Sequence, residues 1–274
     1  MPELPEVEVL RRSLEPRVLG DRIEHVEVRF PTLREPIPTR RLRRRLVDRR
    51  IVALRRRAKY LLVDVEGGST LVVHLGMSGR LSVIPGAAPA APHEHVMLVL
   101  RSGRTLRFRD PRRFGLVLAL PTATLDGDPH FRHLGVEPLG QEFSGETLRA
   151  RRGGRSGPVK ALLMDAAVVV GVGNIYACEA LHRAGVHPKR SVARLGARRF
   201  DALAAAVRTV LGQAIREGGT TLNDFADADG EPGYFAVSLE VYGREGEPCR
   251  RCGGVVRRIV QGGRSTFYCP GCQR

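Results

Sequence analysis

The sequence predicts an α+β fold made of two different halves, followed by a small cysteine-bearing segment. From residue 22 to about residue 120, short apolar runs alternate with turn signals such as Gly67-Gly68 and Ser102-Gly103. Beyond about residue 158 the spacing of apolar residues becomes helical. Four of the five cysteines lie after residue 248. A strand-rich half, a helical half and a metal-binding or disulfide-bonded hairpin are therefore expected in this order.

The predicted elements follow in chain order. Residues 5–14 predict a helix, because Pro5 suits a first helical position and charged residues complement both helix ends. Strands are expected at 22–30, 50–55, 60–66, 69–75, 80–84, 94–100, 104–109 and 115–120, with a short basic helix at 39–47. Further helices are expected near 145–151, 158–166, 173–184 and 196–216. Seven or eight short strands at this spacing indicate a two-sheet sandwich or a barrel.

The charge balance predicts a polyanionic partner. The 274 residues include 45 Lys and Arg against 29 Asp and Glu, which gives a formal net charge of +16. Such an excess favours nucleic acid or an anionic membrane as partner. A genome rich in G and C would explain the preference for Arg over Lys, but not the excess of cations. No apolar run reaches the roughly 18–20 residues that span a bilayer, and no secretory signal is recognisable, so we expect no membrane partner.

The C-terminal cysteines have the spacing of a metal site. Cys249, Cys252, Cys269 and Cys272 form two C-x2-C pairs separated by sixteen residues. Two such pairs at the ends of a β-hairpin place four thiolates around one Zn²⁺ ion. The ion is expected to be structural, because four protein ligands leave no open coordination position. Two disulfides are the alternative, which a cytosolic context disfavours.

The N-terminal sequence, Met1-Pro2-Glu3-Leu4-Pro5-Glu6, offers a candidate nucleophile. Removal of the initiator Met would expose the secondary amine of Pro2. An α-amino group has a pKa of about 7.7–8.0, so a useful fraction is neutral and nucleophilic near pH 7. Glu3 is adjacent and can transfer protons, and Glu6 lies one helical turn away. Taken alone, these residues are also typical of an ordinary helix start.

A glycine-rich turn precedes one of the predicted helices. It reads Gly171-Val172-Gly173-Asn174. Glycines allow the backbone to approach a ligand closely, and N–H groups at a helix start bind phosphate. An ordinary turn between two helices is an equally good interpretation.

Taken together, these motifs resemble the formamidopyrimidine-DNA glycosylase family. The resemblance runs from Pro2 to Cys272 and includes the following blocks: PELPEVE at 2–8, RRAKYLL at 56–62, HLGMSGRL at 74–81, DPRRFG at 110–115, LLMD at 162–165, GVGNIYA at 171–177, GGTTLNDF at 218–225, GYFAVSLEVYGREGEPC at 233–249 and GRSTFYCPGC at 263–272. It implies a β-sandwich with an N-terminal helix, a helix-two-turn-helix domain and a four-cysteine zinc hairpin. The expected domains are a catalytic sandwich at 1–131, a linker at 132–157, a DNA-binding helical domain at 158–238 that includes a lesion-covering loop at 217–238, and the zinc hairpin at 239–274.

The resemblance also implies roles for individual residues. Pro2 matches the Schiff-base nucleophile, Glu3 the catalytic acid and Glu6 a supporting carboxylate. Lys59 matches a lysine that contacts the lesion phosphate and assists elimination, and Arg264 matches an arginine of the zinc hairpin that aids the second elimination. The predicted DNA contacts are His93, Arg112, Arg155, Asn174, Met77 and Phe114.

The six predicted DNA contacts are of two kinds, residues that fill the space of an extruded base and residues that contact the DNA backbone. Met77, Arg112 and Phe114 match a triad that fills the space left by an extruded base. Without the resemblance, core packing would be favoured for Met77 and Phe114. His93 and Arg155 match DNA-backbone contacts through a shorter stretch of similarity. His95 is a near neighbour of His93, and the family usually has Lys where this chain has Arg155, so that only the charge is shared there.

The expected function follows from the resemblance. It is a base-excision-repair glycosylase that removes 8-oxoguanine and formamidopyrimidines from duplex DNA, with a lyase activity that nicks the strand by β,δ-elimination. A monomer that acts on DNA in the bacterial cytoplasm is the simplest expectation. Two alternatives remain open: the sister endonuclease VIII branch, which prefers oxidised pyrimidines, and a non-catalytic nucleic-acid-binding zinc protein.

Overall fold

The computed structural model describes residues 2–86, 91–220 and 238–274. These residues form two compact units: one holds the chain up to Arg132 together with residues 218–220, and the other holds His133–Glu217 and residues 238–274. The predicted lesion-covering loop at 217–238 lies mostly outside the described residues. The α+β fold class is confirmed.

Two four-stranded antiparallel sheets form the first unit. Its strands are β1 (Ile23–Val28), β2 (Ile51–Arg57), β3 (Tyr60–Val65), β4 (Ser69–His74), β5 (Arg80–Pro85), β6 (Glu94–Leu100), β7 (Arg104–Arg109) and β8 (Leu116–Pro121). One sheet has the order β1-β6-β7-β5 and the other the order β2-β3-β4-β8. The predicted two-sheet sandwich is therefore confirmed, and its strands agree with the sequence pattern to within a few residues.

Two helices complete the sandwich core. Helix α1 (Leu4–Val18) contributes Val7, Leu10 and Leu14, and helix α2 (Thr39–Leu46) contributes Leu42 and Leu46. All of these side chains are buried in one apolar cluster with residues of both sheets. Because burial of apolar area contributes about 25 cal/mol per Å², this cluster is the main favourable term that fixes α1 and hence the N-terminus.

Helix α1 differs from the prediction at its C-terminal end. It continues to Val18, although Pro16 cannot donate a backbone hydrogen bond inside it. Burial of Val18 in the core outweighs the one missing bond. Arg11 and Arg12 do not mainly serve the last turn: both pair with Glu8, at 3.0 and 2.8 Å.

Helices dominate the second unit. They are α3 (Gly145–Arg152), α4 (Val159–Met164), α5 (Asn174–Arg183) and α6 (Ala197–Arg216). The apolar residues spaced by four along α6, Leu203, Val207, Leu211 and Ile215, are all buried, as their spacing predicts. Helix α3 lies within the predicted linker, and it packs against α6 of the same unit. The proposed domain limits stay predictions. No helix among the described residues is both long and apolar enough to cross a membrane.

The chain ends in a two-stranded antiparallel hairpin. Its strands are β9 (Arg257–Gln261) and β10 (Arg264–Tyr268), joined by the turn Gly262-Gly263. Both glycines have positive φ, at 57° and 71°, which suits the tight hairpin turns that match the twist of the strands. Arg264 is the first residue after this turn and is exposed.

Candidate functional site

The residues predicted to act together fall into two groups, one in each compact unit. Pro2, Glu3, Glu6, Lys59, Met77, His93, Arg112 and Phe114 belong to the first unit. Arg155, Asn174, Arg264 and the four cysteines belong to the second. Each group is described within its own unit.

The N-terminal residues are held by a reciprocal cap on helix α1. Glu3 is the N-cap residue, and its backbone N–H donates to Glu6 Oε2 at 2.7 Å. The other carboxylate oxygen, Glu6 Oε1, accepts from the Thr220 N–H at 2.9 Å. Pro2 is buried, and Glu3 and Glu6 are each only 2% exposed. Glu6 therefore holds the backbone beside Pro2 with one carboxylate oxygen and the backbone of Thr220 with the other.

Lys59 lies in the two-residue turn between β2 and β3. The register pairs Arg57 with Tyr60, so that only Ala58 and Lys59 form the turn. Ala58 has a φ of +54°, which is unusual for a residue with a Cβ atom, and Arg56 donates to its carbonyl at 3.0 Å. The hairpin thus presents a partly exposed lysine from a rigid sheet edge.

His74, at the end of β4, is neutral near pH 7. Burial, followed by the nearby Lys59 and other cations, lowers the pKa of His74 to about 4. Its Nδ1 atom accepts from the Gly76 N–H at 3.0 Å, so the single ring proton lies on Nε2. This bond fixes the first residues of the loop that carries Met77.

The predicted space-filling residues project from two neighbouring loops. Met77 and Phe114 are 38% and 45% exposed, which is high for large apolar side chains, and the Arg112 guanidinium lies 5.0 Å from the Phe114 ring centroid. The loops touch at Gly76, where a Cβ atom would come within 2.5 Å of the Phe114 carbonyl group. Exposure of this kind disfavours core packing for Met77 and Phe114 and agrees with an apolar wedge.

A buried aspartate joins these two loops. Asp110 is fully buried; its Oδ1 accepts from Ser78 Oγ at 2.6 Å, and its Oδ2 accepts from the Gly115 N–H at 2.7 Å. Ser78 Oγ in turn accepts from the Arg112 N–H at 3.2 Å. The hydroxyl of Ser78 therefore connects the Met77 loop to the start of the loop that carries Arg112 and Phe114, and Asp110 holds the end of that loop at Gly115.

Replacement of Ser78 tests this connection. We expect Ser78→Ala to cost about 1–3 kcal/mol of stability, because Asp110 loses a donor and the Arg112 N–H an acceptor inside the protein. We also expect a larger fall in base excision than in binding of undamaged DNA, since the wedge is needed only when a base is extruded. Thermal unfolding, single-turnover excision and undamaged-duplex affinity measure these effects. Ser82→Ala, on strand β5, is the matched control, and equal behaviour of the two variants would contradict the expectation.

His93 and His95 differ in their exposure to solvent and in their hydrogen-bond partners. His95 is buried, and its Nε2 donates to the Asp110 carbonyl oxygen at 2.9 Å. His93 is exposed, with a φ of +67°, and its own carbonyl accepts from the Asp110 N–H. His95 thus has a structural partner, and His93 is the one that is accessible to a ligand.

In the second unit, Asn174 and the zinc hairpin are joined by a buried lysine. Lys160, on helix α4, is 2% exposed, and its Nζ donates to Asn174 Oδ1 at 2.6 Å and to Thr266 Oγ1 at 2.5 Å. Asn174 Nδ2 donates to the Ser265 carbonyl at 2.9 Å. The first residue of helix α5 is therefore fixed beside strand β10, two residues from Arg264.

Two residues of this network were not predicted to have a function. Lys160 gives no signal in the sequence apart from being one of very few lysines. Tyr242 packs edge-on against Phe267, with ring centroids 5.0 Å apart, and its hydroxyl lies 3.4 Å from Asn174 Nδ2. Its position in the block at 233–249 is the only sequence signal that could have indicated it.

Lys160 offers a second test. We expect Lys160→Met to lower stability by about 1–3 kcal/mol, because Asn174 and Thr266 lose a buried hydrogen-bond donor. We also expect weaker binding of damaged and undamaged DNA alike, because Asn174 and the Arg264 strand are no longer held together. Lys189→Met removes an exposed lysine of the same unit and is the control for lost charge. An unchanged DNA affinity of Lys160→Met would show that the network positions nothing needed for binding.

Arg155 has a protein partner. Its guanidinium donates to Asp165 Oδ2 at 2.9 Å and to the carbonyl oxygens of Arg151 and Arg152. The ion pair is solvent-accessible, so it contributes at most about 1 kcal/mol. A phosphate could therefore displace Asp165 at little cost.

The four C-terminal cysteines fit one zinc ion. Their sulfur atoms lie within 4.8 Å of one another, and Cys249–Cys272 and Cys252–Cys269 are 3.8 and 3.4 Å apart. A tetrahedron with Zn–S bonds of about 2.3 Å has edges of about 3.8 Å, whereas a disulfide bond is about 2.05 Å long. The separations match the ion and exclude the disulfide alternative.

The local backbone explains this arrangement. The Gly253 N–H donates to the Cys249 carbonyl at 2.8 Å, and Gly253 has a φ of +73°, which closes the first cysteine turn. The second turn is closed by the Cys272 N–H, which donates to the Cys269 carbonyl at 3.2 Å. His182 Nε2 lies 3.4 Å from Cys249 Sγ and can donate to its thiolate. The zinc ion is structural, since all four positions are occupied by protein.

These features define a class of protein, the zinc-containing DNA glycosylases. The chain has a β-sandwich in which the helix cap at Glu3 lies directly after Pro2, and a helical unit with a zinc hairpin. Three family models match the chain. They are the formamidopyrimidine-DNA glycosylase N-terminal domain at residues 1–117, the formamidopyrimidine-DNA glycosylase H2TH domain at 134–226, and the zinc finger found in FPG and IleRS at 246–274.

Full-length relatives agree. The formamidopyrimidine-DNA glycosylases of Ruegeria pomeroyi and Acidithiobacillus ferrooxidans are 50% and 52% identical, each over 100% of both chains. The crystal structure of the MutM (Fpg) protein of Thermus thermophilus is 42% identical, with a TM-score of 0.89 over 99% of this chain and 98% of the other. A Lactococcus lactis Fpg mutant in complex with Fapy-dG-containing DNA is 30% identical, with a TM-score of 0.92 over 100% of both chains. The chain belongs to the formamidopyrimidine-DNA glycosylase family.

Proposed function

We propose that this chain is a bifunctional DNA glycosylase and abasic-site lyase that removes oxidised purines from duplex DNA. The observation that carries the proposal is the cap of helix α1, in which Glu6 holds the backbone of Glu3, directly after Pro2, the residue that becomes the first once the initiator Met1 is removed. Family relatives support the substrate class, because a Lactococcus lactis Fpg mutant has been crystallised with Fapy-dG-containing DNA, and Lactococcus lactis Fpg with abasic-site DNA.

The chemistry starts from the free amine of Pro2. In the proposed mechanism the Pro2 nitrogen forms a bond to C1′ of the damaged nucleotide, and the bond from C1′ to the base breaks, so that the base leaves with the bonding electrons and takes up a proton. Glu3 supplies a proton to the sugar ring oxygen as the ring opens, which leaves an iminium ion at C1′. The fixed positive charge makes the C2′ proton acidic enough to be removed.

Two eliminations follow from the iminium ion. Loss of the C2′ proton expels the 3′ phosphate, and a second proton loss expels the 5′ phosphate, so the strand has a one-nucleotide gap with phosphate at both ends. We assign Lys59 to the lesion phosphate and the first elimination, and Arg264 to the second. We assign His93, Arg155 and Asn174 to the DNA backbone, and Met77, Arg112 and Phe114 to the space left by the extruded base.

Borohydride trapping tests the proposal. The protein is incubated with a duplex that carries one 8-oxoguanine opposite cytosine, borohydride is added, and the covalent product is mapped. A crosslink at the N-terminal peptide that contains Pro2 is expected. Tight binding without a crosslink would contradict amine catalysis on this lesion and favour a non-catalytic binder.

A second substrate class enters through one relative. A complex of Lactococcus lactis Fpg with DNA that contains an oxidised pyrimidine has been solved, and it is 31% identical to this chain with a TM-score of 0.91. The trapping experiment therefore includes a duplex with an oxidised pyrimidine. Preference for that duplex would place this chain's activity nearer to the endonuclease VIII branch.

We further propose that the chain acts as a monomer on the DNA of the bacterial nucleoid. Each chain holds one complete set of the proposed catalytic residues, so no second copy is needed for the chemistry. The molar mass in solution, measured by light scattering with and without a short duplex, tests this proposal, and a stable dimer on the duplex would contradict it.

A further inference from the structure

Helix α2 and the turn that follows it carry an unusual density of positive charge. Residues 39–50, TRRLRRRLVDRR, contain seven arginines and one aspartate. Five of the arginines form what we call the arginine surface: Arg40, Arg41, Arg44, Arg45 and Arg49. Four of these five are exposed, and Arg45 is half-buried.

Arginines elsewhere in the described chain are commonly paired with acids. Arg107 pairs with Glu94 at 2.9 Å, for example, and Arg258 pairs with Glu245 at 2.6 Å. Within the described residues, no carboxylate lies within ion-pair distance of any member of the arginine surface. Like charges at this density repel one another, so the surface is well suited to a polyanion that compensates them.

The arginine surface includes a pocket suited to an anion. Arg44, Arg45, Arg49, Gly67 and Ser69 line a cavity of about 340 Å³. Arg45 donates to Ser69 Oγ at 3.2 Å, while its Nε–H is shielded from solvent and has no hydrogen-bond partner among the described residues. Guanidinium groups that converge on a polar recess are the usual protein ligands of phosphate oxygens.

This surface lies away from the proposed catalytic residues of the same unit. Ser69 begins β4 opposite Val65, whereas His74 ends β4 opposite Tyr60, the residue next to Lys59. Met77 follows the His74 end as well. A strand rises about 3.3 Å per residue, so the five steps from Ser69 to His74 cover roughly 16–17 Å. The pocket lined by Arg44, Arg45 and Arg49 and the Lys59 turn therefore lie at opposite ends of the β3–β4 hairpin.

The burial of the apolar face of α2 favours DNA over a membrane surface as the polyanionic partner. Leu42 and Leu46 are both fully buried in the sandwich core, so α2 presents arginine and no large apolar side chain to solvent. A helix that lies in a membrane surface needs an exposed apolar face, which α2 lacks. A phosphate backbone needs only cations and is the polyanion that the proposed function already brings close.

We propose that the arginine surface binds the phosphate backbone of a second duplex DNA segment, without regard to base damage. The choice of DNA as partner rests on the proposed function. Because the pocket of Arg44, Arg45 and Arg49 lies at the far end of the hairpin from Lys59, a second segment can bind while the first is still held. The protein can then pass directly from one segment to another during the search for damage.

Competitor-dependent dissociation tests the inference. The full chain is bound to a short, labelled, undamaged duplex, and its dissociation is followed after addition of unlabelled duplex at increasing concentration. Direct transfer makes the observed dissociation rate rise with competitor concentration. We expect this rise in the wild type, and we expect its slope to fall at least about threefold in R40Q/R41Q/R44Q, whose substituted side chains are all exposed.

The matched control keeps the charge. R40K/R41K/R44K is expected to retain most of the transfer. In the Gln variant only, the slope of log K for duplex binding against log salt concentration should become less steep by about 0.9 for each phosphate contact that is lost. In both variants the unfolding temperature should stay close to that of the wild type. The single-turnover excision rate at saturating protein should stay within about twofold, because no substituted residue belongs to the proposed catalytic set.

Each outcome decides the question. A rate independent of competitor in the wild type, or equal transfer by the Gln variant and the wild type, would overturn the inference. A Gln variant that loses binding to anionic vesicles or to polyglutamate but keeps DNA transfer would overturn DNA as the partner. Absence of excision by the wild type would refute the proposed function, whereas the transfer measurement would still report on the arginine surface.

Discussion

An uncleaved N-terminal extension should abolish both base excision and borohydride trapping. The extension converts the Pro2 nitrogen into a tertiary amide, which has no lone pair available for attack on C1′. Loss of a covalent nucleophile removes the proposed reaction path entirely, so we expect single-turnover excision to fall by at least about 10³-fold. The measurement compares excision of 8-oxoguanine with affinity for undamaged duplex, which should change far less.

The same chain supplies the control. Proteolytic removal of the extension, so that Pro2 becomes the first residue, should restore excision and trapping together. Helix α1 is anchored by Leu4, Val7, Leu10 and Leu14, so the extension itself should leave the thermal unfolding temperature nearly unchanged. A blocked protein that still forms the covalent complex would show that another amine, with Lys59 the first candidate, is the nucleophile.

Features that depend on sequence neighbours were predictable. The cysteine pairs, the β2–β3 turn at Lys59 and the α1 N-terminus are each specified within a few residues, because turn and cap geometry is local. Strand positions were also predicted closely, since each strand of a sandwich alternates or is continuously apolar over its whole length. The zinc site is the clearest case, because its spacing excludes most other uses of four cysteines.

Features that join distant residues were not predictable. Ser78 and Asp110 are 32 positions apart, and Lys160 and Thr266 are 106 apart, yet each pair is hydrogen-bonded in the interior. No periodicity marks such pairs, because a buried polar residue is placed by the tertiary fold and not by its neighbours in sequence. Only the resemblance brought Ser78 and Asp110 into named blocks, and it assigned neither a role.

Tertiary packing also altered one local expectation. Helix α1 passes through Pro16 because Val18 is buried in the core beyond it. The burial of this apolar side chain outweighs the weak helix propensity around Pro16. Helix α3, in contrast, forms where the sequence predicts it, with Ser144 as its N-cap and Leu148 buried.

Loss of the zinc ion should disorganise the hairpin and, through it, the proposed phosphate-binding residues. Buried Cys249 and Cys269 share an apolar cluster with Val256 and Phe267, which is too small to fold without the metal. Structural zinc in finger peptides contributes an apparent free energy of about 10–16 kcal/mol. Without it, strand β10 can no longer hold Thr266 against Lys160 or Ser265 against Asn174.

Cys252→Ser is the variant that isolates this effect. Cys252 is exposed, so its replacement removes a ligand without opening a cavity in the core. We expect less than one zinc ion per chain by metal analysis, a lower unfolding temperature, and a fall in affinity for damaged and undamaged duplex of at least about tenfold. Cys178→Ala, a buried cysteine outside the metal set, should keep the zinc and the DNA affinity. A zinc-depleted Cys252→Ser protein that binds DNA as well as wild type would mean that Asn174 and Arg264 are positioned by α4 and α5 alone, and the role assigned to the metal would fail.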